Sequence, residues 1–302
     1  MHTAQFRGLW TALITPFTAG DGISNPVDSA ALGRLIDLQI SGSVDGILFL
    51  GTTGENPTLT DDEGESIVRY GIEKIAWRVK VMVNVGTYST RASLQNMARY
   101  ERIDGIDAYL LVNPYYNKPT QEGLFRHFTT LARATTRPIF IYNIKGRSAV
   151  NLENTTLLRI IWACPNVIWV KEASGDLHQI GELIRSRPPG FIVLSGDDAL
   201  THEVIHMGWD GVISVASNAI PGIIAHYVHM TLDNPWSSLE LRDGLIPLFT
   251  HLFVQSNPLP VKTYLADRGI ITEAFRLPIC PMDHEAREAF LTFTQSYSYT
   301  QS

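Results

Sequence analysis

Val167-Ile168-Trp169-Val170-Lys171-Glu172-Ala173-Ser174-Gly175 decides how the chain is read: an apolar run with β-branched and aromatic residues ends in one lysine and a glycine turn. Such a run reads as a strand buried on both faces. Lysine is rarely buried without a partner, so this one calls for an explanation. Desolvation disfavours the ammonium form and brings a lysine pKa toward neutrality, and the neutral amine is what attacks a carbonyl to make a Schiff base. Alone, Lys171 is more simply read as a strand-end lysine that reaches solvent or pairs with Glu172. The rest of the chain overturns that simpler reading.

Outward from this strand, short apolar β-like runs alternate with amphipathic stretches, and the alternation returns roughly every 30 residues, the size of a βα unit. The strands are expected at Leu9 to Thr15, Gly46 to Leu50, Val79 to Val85, Ala108 to Val112, Pro138 to Tyr142, Val167 to Lys171, Phe191 to Leu194 and Gly211 to Val215. Their near-continuous apolar character suits parallel strands covered on both sides. Between them, Ser29 to Ile40, Asp62 to Ala76, Ala92 to Arg102, Glu122 to Ala134, Asn154 to Ala163 and Leu177 to Arg185 have helical periodicity. Thr60 with Glu63 reads as a capping box, and Thr120 and Asp176 as N-caps. Eight such units imply a closed (β/α)8 TIM barrel of class α/β rather than an open doubly wound sheet. From about Pro235 the β pattern stops and helical segments run through Phe293, leaving a polar tail from Gln295 to Ser302. The expected division is a barrel with the catalytic site over residues 1–234 and a C-terminal helical extension over 235–302.

With 302 residues, 45% hydrophobic and 18% charged, the composition is that of an ordinary globular protein. A net charge of -6 provides no basic face, which argues against nucleic acid and anionic membrane surfaces and for small-molecule ligands. Cys164 and Cys280 match no metal or redox spacing and read as reduced packing thiols. The apolar opening Gly8 to Ile14 is too short, and too closely followed by Pro16, for a signal or membrane helix. A cytoplasmic protein with an intact amino terminus is expected.

In barrels the active site lies at the C-terminal ends of the strands, and the residues there are rich in chemistry. Gly51-Thr52-Thr53-Gly54-Glu55 follows strand two, and its glycines and hydroxyls suit a small carboxylate; a tight turn with capping threonines is the plainer alternative. Asn113-Pro114-Tyr115-Tyr116-Asn117 follows strand four, Tyr142-Asn143 and then Arg147 strand five, Ser195-Gly196-Asp197-Asp198 strand seven, and Ser214 to Asn218 strand eight. Tyr142 stands one strand from Lys171, near enough to exchange a proton with it, or it merely packs. Arg147 suits a second carboxylate or an ordinary surface ion pair. His202-Glu203-Val204-Ile205-His206 fits a zinc pattern, but it falls on a returning helix away from the strand ends and has no obvious third ligand, so the histidines are read as surface or packing residues and no metal is expected.

With these motifs in order, the chain resembles the dihydrodipicolinate synthase and N-acetylneuraminate lyase family of Schiff-base aldolases over essentially its whole length. Arg147-Ser148 and the Tyr115-Tyr116 pair make it most similar to the synthase branch. The resemblance implies that Lys171 forms the Schiff base with pyruvate and that Thr53, with the backbone of Gly51 and Gly54, holds the pyruvate carboxylate. It implies a proton relay of Thr52, Tyr142 and Tyr116, the last entering from a neighbouring subunit across a tight dimer interface within a homotetramer. Arg147 would bind the carboxylate of aspartate semialdehyde, Ile213 would pack beside pyruvate, and Gly196 would border the substrate. Imine and enamine chemistry of this kind requires neither a metal nor an organic cofactor. The acidic pair Asp197-Asp198 disfavours a phosphorylated substrate.

Two departures stand out. Lys145 replaces a proline usual in that branch, which puts the loop presenting Arg147, and hence the aldehyde, in question. At the places where lysine-inhibited members hold lysine, the chain carries Tyr88, Ala92, Asp61 and Gly64, with Tyr115 alone kept, so weak lysine binding is expected. The rival readings are an aldolase for a 2-keto-3-deoxy sugar acid or another 2-oxo acid, which Arg147 disfavours, and a non-catalytic barrel that binds a ligand or partner, which the Lys171, Tyr142 and Thr52 set disfavours.

Overall fold

The computed structural model describes residues 3–297. Residues 1–2, at the amino terminus, and 298–302, in the expected polar tail, lie outside the described residues. Eight parallel strands close in sequence order: β1 (Gly8–Ala12), β2 (Gly46–Phe49), β3 (Lys80–Asn84), β4 (Ala108–Val112), β5 (Ile139–Asn143), β6 (Val167–Glu172), β7 (Ile192–Ser195) and β8 (Gly211–Ser214). The returning helices are α1 (Ser29–Ser41), α2 (Asp61–Ile75), α3 (Thr90–Tyr100), α4 (Gln121–Ala132), α5 (Lys145–Ser148), α6 (Asn154–Ala163), α7 (Leu177–Ser186), α8 (Thr201–His206) and α9 (Pro221–Asp233). Three more, α10 (Leu239–His251), α11 (Leu259–Asp267) and α12 (His284–Ser296), form the C-terminal extension. This is the TIM barrel expected from the eightfold alternation.

Strand alternation sorts side chains into two cores. Trp10, Leu48, Met82, Leu110, Phe140, Trp169 and Ile213 point inward and fill the barrel. Ile139, Ile141, Val170 and Val212 point outward and meet the helices. Truncating a wholly buried ring such as Trp169 to alanine costs about 3–5 kcal/mol. The helix starts are fixed where the sequence suggested. Thr60 and Glu63 close a reciprocal capping box on α2, while the side chains of Thr120 and Asp176 accept the first free N–H groups of α4 and α7.

The first strand is shorter than its apolar run. It ends at Ala12 because the backbone beyond is taken up by the rim: the Ile14 N–H donates to Asn218 Oδ1, and the Thr15 hydroxyl donates to the Gly54 carbonyl at 2.7 Å. The extension packs back on this same end. Lys262 of α11 is wholly buried against Glu55, and Arg276 reaches Glu63 of α2.

Among the described residues, no helix is long and apolar enough to cross a membrane. Cys164 and Cys280 are unpaired thiols, one buried and one exposed. The His202–His206 segment is the one-and-a-half-turn helix α8, where His202 Nε2 lies 2.9 Å from the Pro235 carbonyl and the His206 ring packs edge-on to Trp236.

Candidate active site

A cavity of about 260 Å³ opens at the C-terminal ends of the strands. Lys171, Tyr142, Thr52, Thr53, Gly51, Arg147 and Gly196 all line it. Tyr142 and Lys171 are register partners on β5 and β6, and both point inward. Lys171 is 6% exposed, and its Nζ stands 4.3 Å above the centre of the Tyr142 ring. Gly196 permits this approach, since a Cβ there would lie 2.9 Å from Lys171 Cε.

Burial dominates the electrostatics. It pulls the Lys171 amine down to about 7, against the attraction of Asp198 and with the repulsion of Arg147. Burial likewise pushes the Tyr142 phenol up to about 12, while Arg147 and a hydrogen bond with Thr52 pull the other way. The amine is therefore available as a nucleophile near neutrality, and the phenol beside it holds its proton.

Glu172 does not pair with Lys171, because neighbouring residues of a strand face opposite sides. It lies behind the strands in a buried belt of amides. Asn143 Nδ2 donates to Glu172 Oε2 at 2.8 Å, Asn113 Nδ2 donates to Asn143 Oδ1 at 2.8 Å, and the Ser174 N–H donates to Glu172 Oε1 at 2.6 Å. Asp198 is also turned to the backbone, accepting the Val215 and Ala216 N–H groups at 2.9 and 3.0 Å. Its carboxylate is thus committed to the loop after β8, and Asp197 Oδ1 likewise accepts the Ala199 N–H at 2.9 Å, so neither carboxylate of the pair lines the cavity.

At the mouth, Lys145 takes the first position of α5, where a proline would also be accommodated because that N–H has no helical partner. The loop therefore turns helically without the proline, and Arg147 reaches the cavity. Its Nη2 donates to the Asn257 carbonyl at 3.2 Å.

Three of the expected residues stand elsewhere. Ile213 is 1% exposed within the barrel core and does not line the cavity; Val215, two residues on, does. Gly54 turns its carbonyl to the Thr15 hydroxyl in the segment after β1. Tyr116 is 92% exposed with a φ of 73°, pointing away from its own chain's cavity, whereas Tyr115 lines it and lies 3.3 Å, hydroxyl to hydroxyl, from Thr87. Sequence reasoning missed Asn84 and Gly86 at the end of β3, a rim position left unread. It also missed Phe253 and Asn257 from the extension. Asn257 Nδ2 donates to Thr53 Oγ1 at 2.9 Å, and the Asn257-Pro258-Leu259-Pro260 stretch at the start of α11 was the available signal.

The sequence profile of the Dihydrodipicolinate synthetase family matches residues 5–296. The chain belongs to this family. A relative from Acidobacterium capsulatum, a 4-hydroxy-tetrahydrodipicolinate synthase, is 42% identical over 284 residues, spanning 94% of this chain and 93% of its own. The crystal structure of dihydrodipicolinate synthase from Aquifex aeolicus superposes with a TM-score of 0.92 at 37% identity, covering 97% of this chain and 98% of that one. That of the chloride-inhibited synthase from Acinetobacter baumannii, complexed with pyruvate, gives 0.91 at 33% identity over 96% and 98%. As a member of the family, the chain is a lyase of the class I aldolase type.

Proposed function

We propose that this chain condenses pyruvate with aspartate semialdehyde, as a 4-hydroxy-tetrahydrodipicolinate synthase supplying lysine biosynthesis. The observation that carries the reading is a buried lysine with a near-neutral amine, in a cavity that also holds Tyr142, two threonines and an arginine. The neutral Lys171 amine adds to the pyruvate ketone, and loss of water leaves an iminium. That cation withdraws electrons from the methyl carbon, which gives up a proton to become an enamine and then attacks the aldehyde. Tyr142 and Thr52 carry protons to and from the adduct, with Tyr116 supplied by a partner subunit within a tetramer of tight dimers. Thr53 and the backbone around Gly51 and Gly54 hold the pyruvate carboxylate. Arg147 receives the carboxylate of the aldehyde, Gly196 borders the adduct, and Ile213 supports the wall beside it from below. The steps need neither a metal nor an organic cofactor. Two unpaired thiols suit a reducing cytoplasm. We divide the chain into a barrel, 1–234, and an extension, 235–302, that completes the site.

Arg147 favours aspartate semialdehyde over a sugar-derived aldehyde, since a guanidinium matches a carboxylate and a polyol does not. Initial rates with pyruvate and a panel of aldehydes test this. Turnover of aspartate semialdehyde well above the polyols is expected, and the reverse order would overturn the assignment.

A further inference from the structure

The buried pair beneath the Gly51–Glu55 loop has no part in the chemistry above. Lys262 Nζ, wholly buried in α11, donates to Glu55 Oε1 at 2.5 Å and to the Thr15 carbonyl at 3.1 Å. The ammonium lies 4.5 Å from the centre of the Phe17 ring and 4.7 Å from that of Phe275. Burial lowers the lysine and Glu55 supports its charge.

A buried ion pair is a costly way to join two elements, because desolvation consumes much of the attraction, and well-packed apolar residues often hold as firmly. Its retention here is explained by what it orders. Glu55 sits at φ 53°, ψ 33°, a left-handed conformation that a residue with a Cβ adopts only when its surroundings impose it. From that conformation the Glu55 N–H donates to the Thr52 carbonyl at 3.1 Å, while its own carbonyl accepts the Thr58 N–H at 2.9 Å. The Thr15 hydroxyl donates to the Gly54 carbonyl from the other side, and Lys262 binds the Thr15 carbonyl. One ammonium therefore holds Glu55 directly and Gly54 through Thr15, the two residues that follow Thr52 and Thr53 in the loop.

We propose that Lys262 and Glu55 are positioning residues for the pyruvate-binding loop: the extension fixes Thr52 and Thr53 through this ion pair, and the pair sets the affinity for pyruvate. This rests on the proposed function, and the two are separable. Borohydride trapping of pyruvate on wild-type protein reports on the function, while the ratio of variant to wild-type half-saturation reports on the clamp.

The test compares Lys262→Met, the double variant Lys262→Met with Glu55→Gln, and Thr15→Val, which keeps the ion pair and fold but cuts the bond to Gly54. Melting temperature and the pyruvate concentration for half-maximal adduct are read for each. The single variant strands a buried carboxylate and should melt lower. Removing the second charge should restore most of the melting temperature yet leave half-saturation raised by about tenfold, the worth of one lost charge-assisted hydrogen bond in ordering the loop. Thr15→Val should raise it by about threefold, with the adduct at saturating pyruvate unchanged. A double variant that keeps wild-type half-saturation would show that the pair serves stability alone and overturn the proposal, whatever the value for Thr15→Val.

Discussion

Lys171 Nζ lies over the face of the Tyr142 ring at 4.3 Å, so the amine and the phenol share one buried compartment while their ionisations are pushed in opposite senses. The amine comes down to about 7, so adduct formation has a defined pH course. Below pH 7 the ammonium dominates and the trapping rate should rise about tenfold per unit, levelling off above 7. Single-turnover borohydride trapping across pH 5–11 measures this. A plateau beginning only near 10 would mean that burial does not depress the amine. Lys171→Ala should abolish the adduct on that peptide while keeping the fold, since deleting the amine leaves no buried charge behind.

The exposure of Tyr116 yields a complementation experiment. Tyr116→Phe and Lys171→Ala proteins should each be inactive, and mixing them under subunit exchange should recover part of the activity, because some hybrid sites then hold both intact residues. Absence of recovery, with exchange demonstrated by mass, would assign Tyr116 to no neighbouring site.

Lysine should be a poor inhibitor. Asp61, the one acidic residue among the substituted positions, already pairs with Arg99 at 2.8 Å, and Tyr115 shares its hydroxyl with Thr87. Each missing charge-assisted hydrogen bond costs about 1.5–3 kcal/mol, more than about tenfold in affinity. Initial rates at saturating pyruvate should stay above half-maximal at 1 mM lysine, about the scale on which several such losses leave binding.

At the opposite end of the barrel, His229 Nε2 lies 2.7 Å from Asp45 Oδ2, and that carboxylate raises the imidazole above its ordinary 6.5. A group raised on folding contributes stability that is fully present below its unfolded value and lost as pH rises through its folded value. Denaturant midpoints should therefore fall as pH climbs from 6 through 8, by the equivalent of under about 1 kcal/mol because the pair is half exposed. His229→Gln should flatten that part of the profile.

Much of this was legible in the sequence for physical reasons that differ by residue. Runs such as Val167 to Lys171 announce themselves because parallel strands are apolar on both faces, and eight of them at even spacing admit few closures. Rim chemistry could be read wherever a strand end was recognised, which is why Lys171, Tyr142 and Arg147 stood out together. Asn257 and Lys262 could not be read this way. They reach Thr53 and Glu55 across some two hundred residues of chain, from a helical segment with no repeat to place it. At the end of β8 the alternation places Ile213 one layer below the cavity and Val215 at its lining, a difference of depth that an apolar run does not reveal.

Asn143 and Glu172 follow Tyr142 and Lys171 directly and occupy the outer face of the same two strands. The inner and outer faces thus carry complementary alphabets offset by a single position. Beyond the bulge that β6 already carries at Ile168, deleting one residue between Trp169 and Lys171 would not weaken the site by degrees. It would rotate the carboxylate into the lumen and the amine into the belt, exchanging two polar systems at a stroke. Length change at the site-bearing ends of these strands, past the bulge, is therefore closed to gradual variation, and diversity in the reaction has to come from the loops beyond them.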